Sequence, residues 1–221
     1  MDILDEIKTH VGNLFRAGND ADLAYHNLQH TESVVAQAVN LANYYHLVDK
    51  DFFTVMAACW FHDVGYLQQR ENHETISAEM AANFLLDKHV PEDQILEIKK
   101  CILATKMPQR PEGLLEEIVC DADLYHLGTD LFEERNKALR KEIEHVCGRT
   151  VDKQGWREEN VRFLQEHHFH TSYGKEKLGP VKADNLAMLR KKINKDKDMA
   201  DKEQGLSKKE HKAAKSERPE K

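Results

Sequence analysis

The sequence has few cysteines, no long apolar run and no excess of basic residues, and each absence excludes a class of protein. Its four cysteines stand singly among 221 residues, so we expect reduced thiols rather than a disulfide scaffold. No stretch approaches the roughly 20 uncharged apolar residues of a membrane span. With 32 basic and 39 acidic side chains, a net charge of -7, the chain lacks the basic surface of a protein that binds nucleic-acid duplexes. It also lacks a basic start followed by an apolar run, and we expect a cytoplasmic protein.

Apolar residues are numerous enough for one domain with an appendage. They make up 40% of the chain, which suits a real core at this length. The composition changes near Lys195, after which the chain is rich in both charges and has no aromatic or β-branched side chain. Such a segment cannot bury enough apolar surface to offset the entropy of ordering it. We therefore predict a domain over residues 1–194 and a solvated tail or linker over residues 195–221, which could lead to a further domain.

Apolar residues recur at helical spacing almost throughout the predicted domain. The first amphipathic stripe begins at Ile3 and closes at Gly18, and no run alternates with period two for long enough to form a sheet. The sequence therefore predicts an all-α fold. The further predicted helices are Leu28 to Leu47, Phe52 to Phe61, Thr75 to His89, Pro91 to Ala104, Leu114 to Leu127, Leu131 to Val146, Arg157 to His167 and Ala183 to Ile193.

The first candidate site contains two histidines. His26 and His30 are four residues apart, so on a helix they lie on one face and could point into one cleft. The alternative is a helix start capped by Asn27 with two half-exposed imidazoles.

The second candidate is the pair His62-Asp63, which follows the most apolar helix of the chain. An ionised carboxylate placed in a core loses several kcal/mol of hydration unless it is paired. A metal cation would pair with Asp63 and take neutral His62 as a further ligand. The alternative is a buried hydrogen bond between the two side chains.

A third candidate lies in Cys120-Asp121-Ala122-Asp123, where two carboxylates stand inside an apolar helix. Residues two apart on a helix point to nearly opposite sides, so one site can use only one of them directly. The hydrophobic period does not decide between Asp121 and Asp123.

The order His30, His62-Asp63 and Asp121 or Asp123 on separate helices resembles the HD superfamily of metal-dependent phosphohydrolases. The resemblance implies a helical bundle with a divalent metal between its central helices. It assigns the metal to His30, His62, Asp63 and Asp123, with Asp121 behind the ligands as their partner. Two imidazoles and two carboxylates suit Mn, Fe, Co or Ni, and Mg is also accommodated.

The resemblance also implies roles for other residues. The motif Tyr-His-Asn-x-x-His is similar to the opening motif of cyclic-nucleotide phosphodiesterases, which makes His26 the general acid beside Asp63. The segment from Asn72 to Ala78 is similar to another HD element, in which His73, followed by Glu74, can hold a second metal or contact phosphate. We expect Lys106 to contact the substrate phosphate and to take part in catalysis. Arg135 and Arg140 are further candidate phosphate ligands, and the alternative for either is a solvated helix face.

These resemblances imply a bacterial phosphohydrolase that cleaves a nucleotide or another small phosphorylated substrate with metal-activated water. A first alternative is a regulatory module that binds metal and nucleotide with little turnover, as the N-terminal part of a longer effector-type protein. A second alternative is an HD-type di-iron oxygenase, for which His73 offers an extra ligand. The sequence is compatible with an oligomer.

Overall fold

Helices joined by short turns make up residues 2–18 and 23–196, the part of the chain that the computed structural model describes, and this part contains no β-strand. The all-α prediction is confirmed. In chain order the helices are α1 (Ile3–Ala17), α2 (Leu28–Tyr44), α3 (Asp49–Phe61), α4 (His73–Asp87), α5 (Glu92–Ala104), α6 (Leu114–Asp123), α7 (Phe132–Cys147), α8 (Lys153–Glu166) and α9 (residues 179–196), with 3-10 turns at Val64–Leu67 and Tyr125–Gly128 and a π-helical turn at Gly174–Leu178.

Helix α3 is the centre of the fold. Every residue from Thr54 to Phe61 is buried, as expected for a helix that is apolar on all sides. Helices α1, α2, α4, α5 and α6 all pack against it. The carboxyl end of α3 therefore lies inside the molecule, and the polar pair that follows it enters the interior.

Of the two helices near the candidate site, α2 starts at Leu28 as predicted, and α6 is shorter than predicted. Helix α2 begins after Asn27, whose side chain accepts a hydrogen bond from the backbone N–H of His30 at 3.0 Å, which is the geometry of an N-cap. The predicted helix from Leu114 to Leu127 is in fact divided, because α6 ends at Asp123 and a 3-10 turn follows.

A smaller apolar cluster covers the carboxyl end of α6. A buried carboxylate connects it to the main core: Asp121 accepts hydrogen bonds from the backbone N–H of His170 at 2.8 Å and from the backbone and hydroxyl of Thr171 at 2.9 and 2.6 Å. The buried members of the cluster are Leu124, Leu127, Phe132, Leu164, Phe169, Leu178 and Leu189.

The predicted tail begins on a helix. Lys195 and Asp196 are still helical, and Asp196 forms an ion pair with Arg157. The rest of the predicted tail, residues 197–221, lies outside the described residues, and the division at residue 195 stays a prediction. Within residues 2–18 and 23–196, no helix combines the length and the apolar character needed to cross a membrane.

Gly174 provides a test of the junction between the two clusters. A Cβ at this position would overlap Asp121 Oδ2 and would lie 2.8 Å from the Cβ of Phe169. We expect Gly174→Ala to lower the free energy of unfolding by about 1–3 kcal/mol, because the buried neighbours must move. Gly179→Ala is the matched control, since its Cβ would meet only an ordinary contact at 3.8 Å. Thermal denaturation measures both, and equal melting temperatures for the two variants would contradict this packing.

Candidate metal centre and its cavity

Four side chains, from α2, α6 and the turn that follows α3, converge at the inner end of α3. His30 Nε2 lies 3.2 Å from Asp123 Oδ1 and 3.5 Å from Asp63 Oδ2. His62 Nε2 lies 3.2 Å from Asp63 Oδ2 and 3.6 Å from Asp123 Oδ1. One donor atom from each of His30, His62 and Asp123 lies within 4.8 Å of the other two. The structure therefore brings together all four residues that the resemblance assigns to the metal.

The hydrogen bond of the His62 side chain leaves its other ring nitrogen available for a cation. Its Nδ1 lies 2.7 Å from the carbonyl oxygen of Cys59, which accepts the Nδ1 proton and leaves Nε2 facing the carboxylates. His62 Nε2 and Asp63 Oδ2 are buried without a hydrogen-bond partner. Because buried polar atoms are nearly always paired, two such atoms a few ångströms apart fit a cation between them. Nitrogen and oxygen donors of this kind suit a divalent transition metal.

The pKa values of the clustered side chains also favour a bound cation. Burial raises the pKa of Asp63 and of Asp123, but the neighbouring imidazoles of His62 and His30 outweigh it and hold both pKa values well below the usual range. Burial lowers the pKa of His62, yet the two carboxylates outweigh this and raise it well above its ordinary value. The carboxylates therefore demand a positive charge, which a proton on His62 supplies and a bound metal ion would replace.

The structure shows that Asp121 and Asp123 face different sides of α6, a choice that the sequence does not decide. Asp123, at the last residue of α6, faces the imidazoles of His30 and His62. Asp121 lies on the opposite side and holds the turn at His170 and Thr171. Burial raises the pKa of Asp121, and its hydrogen bonds with this turn oppose the rise.

His73 and Glu74 border the same centre. The Nδ1 of His73 donates to the carbonyl of Arg70 at 2.9 Å, and its Nε2 lies 3.5 Å from Asp63 Oδ1. Glu74 is buried beside it, with Oε2 at 3.6 Å from His73 Nδ1. Both residues line a cavity of about 320 Å³ that also reaches His26 and both aspartates of the cluster.

Lys106 does not line this cavity, and its role as a catalytic, phosphate-binding lysine stays a prediction. Its side chain is exposed, and Nζ donates to Asn72 Oδ1 at 3.3 Å. The neighbouring Thr105 and Met107 line the cavity instead. The chain turns at the end of α5, and this turn directs Lys106 to the surface.

Arg140 does not line this cavity either, and its predicted contact with the substrate stays a prediction. Its guanidinium bonds to Glu144 Oε1 at 3.1 Å and to the carbonyl of Val151 at 2.5 Å. Arg135, one and a half turns earlier on α7, lines the cavity and is nearly buried. The reason is the phase of the helix, whose cavity-lining residues are Phe132, Arg135, Asn136, Leu139 and Ile143.

The sequence analysis missed Glu142, which holds His26 in place. Glu142 Oε2 accepts hydrogen bonds from the backbone N–H of Tyr25 at 2.7 Å and of His26 at 2.9 Å, and Oε1 lies 2.5 Å from His26 Nδ1. Burial raises the pKa of Glu142, but its hydrogen bond with His26 outweighs burial and lowers it. On its other side the His26 ring stacks on Tyr66, with centroids 3.8 Å apart. No local motif indicates a partner more than a hundred residues away.

His126 is a second residue that the sequence analysis missed. It lies in the 3-10 turn after α6 and lines the cavity, with Nε2 at 3.5 Å from the hydroxyl of Tyr25. Burial and the neighbouring His30 lower the pKa of His126 to about 3, so its imidazole is neutral near pH 7. It can therefore serve only as a neutral hydrogen-bonding group there.

Comparison with known proteins agrees with this geometry. Residues 27–128 match the HD domain family. The predicted resemblance to the HD superfamily is therefore confirmed over residues 27–128. The match includes the four clustered residues and His73, and it excludes His26, Arg135 and Glu142.

Two solved structures are similar to this chain. The Lin1889 protein from Listeria innocua is 17% identical, with a TM-score of 0.56 over 88% of this chain and 98% of that chain, which shows a shared fold. A predicted HD superfamily hydrolase from an uncultured Thermotogales bacterium is 20% identical, with a TM-score of 0.49 over 73% of this chain and 91% of that one. No curated protein sequence matches the chain.

The two aspartates of α6 make a matched pair for testing the metal centre. We expect Asp123→Asn to weaken Mn²⁺ binding by more than the roughly 10–100-fold that loss of a residue behind the ligands causes. Asp121→Asn should keep the metal and instead lower the free energy of unfolding by about 1–3 kcal/mol, because an amide NH₂ would face backbone donors. Elemental analysis after dialysis and thermal denaturation separate the two effects. Equal metal loss in both variants would show that the ligand is misassigned.

Proposed function

We propose that this protein is a metal-dependent phosphohydrolase that cleaves a phosphate ester of a small substrate. The observation that carries the proposal is the buried cluster in which His62 Nε2 and Asp63 Oδ2 have no hydrogen-bond partner, placed on the wall of a cavity that His26 also lines. A divalent cation held by His30, His62, Asp63 and Asp123 would polarise a phosphoryl oxygen and promote the ionisation of a water molecule. Mn, Fe, Co and Ni suit this donor set, and Mg is accommodated.

Cationic side chains of the cavity support phosphate as the group that is bound. Arg135 and Arg70 both line it, and a guanidinium can donate two parallel hydrogen bonds to phosphate oxygens. Arg135 is held by a hydrogen bond from Nη2 to Ser33 Oγ at 3.2 Å, which limits its motion. A protein with a net charge of -7 can bind an anion here because the local charge is what the anion meets.

His26 is the proposed general acid. Because its Nδ1 is engaged by Glu142, Nε2 is the nitrogen that can give a proton to the leaving oxygen while the phosphorus–oxygen bond breaks. The Glu142 carboxylate orients the ring, as a carboxylate does behind other catalytic imidazoles. Glu142 therefore acts through His26 as a positioning residue.

The alternatives have less support. A di-iron oxygenase needs a second metal, and within the described residues only one group of three donors is close enough for a metal ion. The regulatory module was suggested by the charged tail, of which residues 197–221 lie outside the described part of the chain. Nucleotides stay a prediction as the substrate class.

The first test of the proposal is metal-dependent turnover. We expect the purified protein to release phosphate or a nucleoside monophosphate from at least one member of a panel of cyclic and linear nucleotides and simple phosphate monoesters. EDTA should abolish the activity and Mn²⁺ should restore it, because the ligand set requires a divalent ion. No metal-dependent turnover of any member would leave the regulatory module as the better interpretation.

The roles of His26 and Glu142 predict a dependence on the leaving group. We expect His26→Ala to lower kcat about 10²–10⁴-fold for an alkyl phosphate, whose leaving oxygen needs a proton, and far less for p-nitrophenyl phosphate. Glu142→Gln should show the same selectivity at smaller size, with the metal retained. Glu144→Gln is the matched control, because Glu144 pairs with Arg140 on the same helix away from the cavity. Equal losses with both kinds of substrate would assign His26 and Glu142 a merely structural role.

A further inference from the structure

The cavity has two ends of different chemistry. One end holds the clustered carboxylates, His26 and His73. The other end, here called the apolar chamber, is formed mainly by α7, α8 and the end of α6. The chamber is lined by Met107, Leu124, Leu127, Phe132, Leu139, Ile143, Trp156 and Phe163.

Three polar side chains beside the apolar chamber bond to one another, and Arg135 and Glu159 line the same cavity. Trp156 Nε1 donates to Asn136 Oδ1 at 2.8 Å, and Asn136 Nδ2 donates to Asn160 Oδ1. Asn160 Nδ2 in turn donates to the carbonyl of Trp156 at 2.7 Å, which closes the ring of hydrogen bonds. These hydrogen bonds fix the side chains of Trp156, Asn136 and Asn160 before a ligand binds.

A ligand that enters the chamber therefore meets hydrocarbon and aromatic surface. An alkyl or aryl group gains free energy by leaving water for such a surface. Sugar hydroxyls or the edge of a nucleobase would lose hydration against the apolar side chains, which offer no hydrogen bonds, and this is unfavourable. The chamber is continuous with the end of the cavity where phosphate is expected, so one molecule can occupy both.

We propose that the apolar chamber binds an uncharged alkyl or aryl group esterified to the substrate phosphate, and that Leu139, Trp156 and Phe163 select for it. This inference rests on the proposed function, because the phosphate is placed at the metal centre. It names a substrate class, the apolar phosphate monoesters, which differs from the nucleotides that the sequence predicts.

A series of alkyl phosphates tests the chamber, because the leaving oxygen is almost the same in all of them. We expect kcat/KM to rise about fourfold per methylene from methyl to hexyl phosphate, which is the effect of about 0.8 kcal/mol for each buried CH₂. Glycerol phosphate and adenosine monophosphate should be turned over less well than hexyl phosphate. Leu139→Asn should reduce kcat/KM for hexyl phosphate at least tenfold, and by a clearly larger factor than for methyl phosphate. Leu103→Asn, at an exposed position of α5, is the control.

Binding of hexylphosphonate to the metal-loaded protein gives a second measurement that does not depend on turnover. Its phosphorus–carbon bond resists hydrolysis, and its chain should change the fluorescence of Trp156, which lines the chamber. Trp60 is the other tryptophan of the chain and lies outside the cavity, so Trp156→Phe should remove the change.

The two measurements distinguish the two proposals. If hexylphosphonate binds with the fluorescence change but no ester is hydrolysed, the proposed hydrolase is wrong and the chamber is supported. Turnover that does not depend on chain length, together with unchanged Trp156 fluorescence, would overturn the chamber while the hydrolase stands. Better turnover of nucleotides than of hexyl phosphate would overturn it as well.

Discussion

The structure depends on the neutralisation of two carboxylates that lie among apolar helices. Asp63 is buried because it follows α3, which is covered on every side, and Asp123 meets it at the end of α6. Two ionised acids in this position are unfavourable unless positive charge accompanies them. The imidazoles of His30 and His62 lie at hydrogen-bonding or slightly longer distances, and two of the four groups still have an atom without a partner. A divalent cation satisfies all four groups at once, which is why the burial of these acids is informative about function.

Helices α6 and α7 each hold a distant segment of the chain through a single side chain. Glu142 on α7 holds His26, which precedes α2, and Asp121 on α6 holds the backbone at His170 and Thr171. The two aspartates of α6 therefore have separate tasks, one toward the imidazoles of the proposed metal centre and one toward the fold. Their separation by two residues puts them on nearly opposite sides of the helix, so neither task competes with the other.

The sequence predicts the elements that are local and misses those that depend on packing. The helices and the residues His30, His62 and Asp63 could be predicted, because hydrophobic periodicity and short motifs depend only on residues that are neighbours in the sequence. The choice between Asp121 and Asp123, and that between Arg135 and Arg140, depends on which side of a helix faces the cavity. Periodicity could not decide it, since apolar residues surround both aspartates and charges of both signs surround both arginines. Glu142 and His126 had no signal at all, because their partners lie on distant segments.

The match to the HD domain family covers one part of the molecule, and the residues inside and outside it have different proposed roles. Residues 27–128 contain the clustered ligands, whose geometry has little freedom because a metal ion fixes distances and donor types. Helices α7 and α8 follow that match and provide Arg135, Glu142 and Trp156. An apolar wall can change its shape by substitution without disturbing the charges at the other end of the cavity. Under the two proposals the metal ligands and the apolar wall lie on different segments, so the identity of the substrate is sought in helices α7 and α8, which the family match does not include.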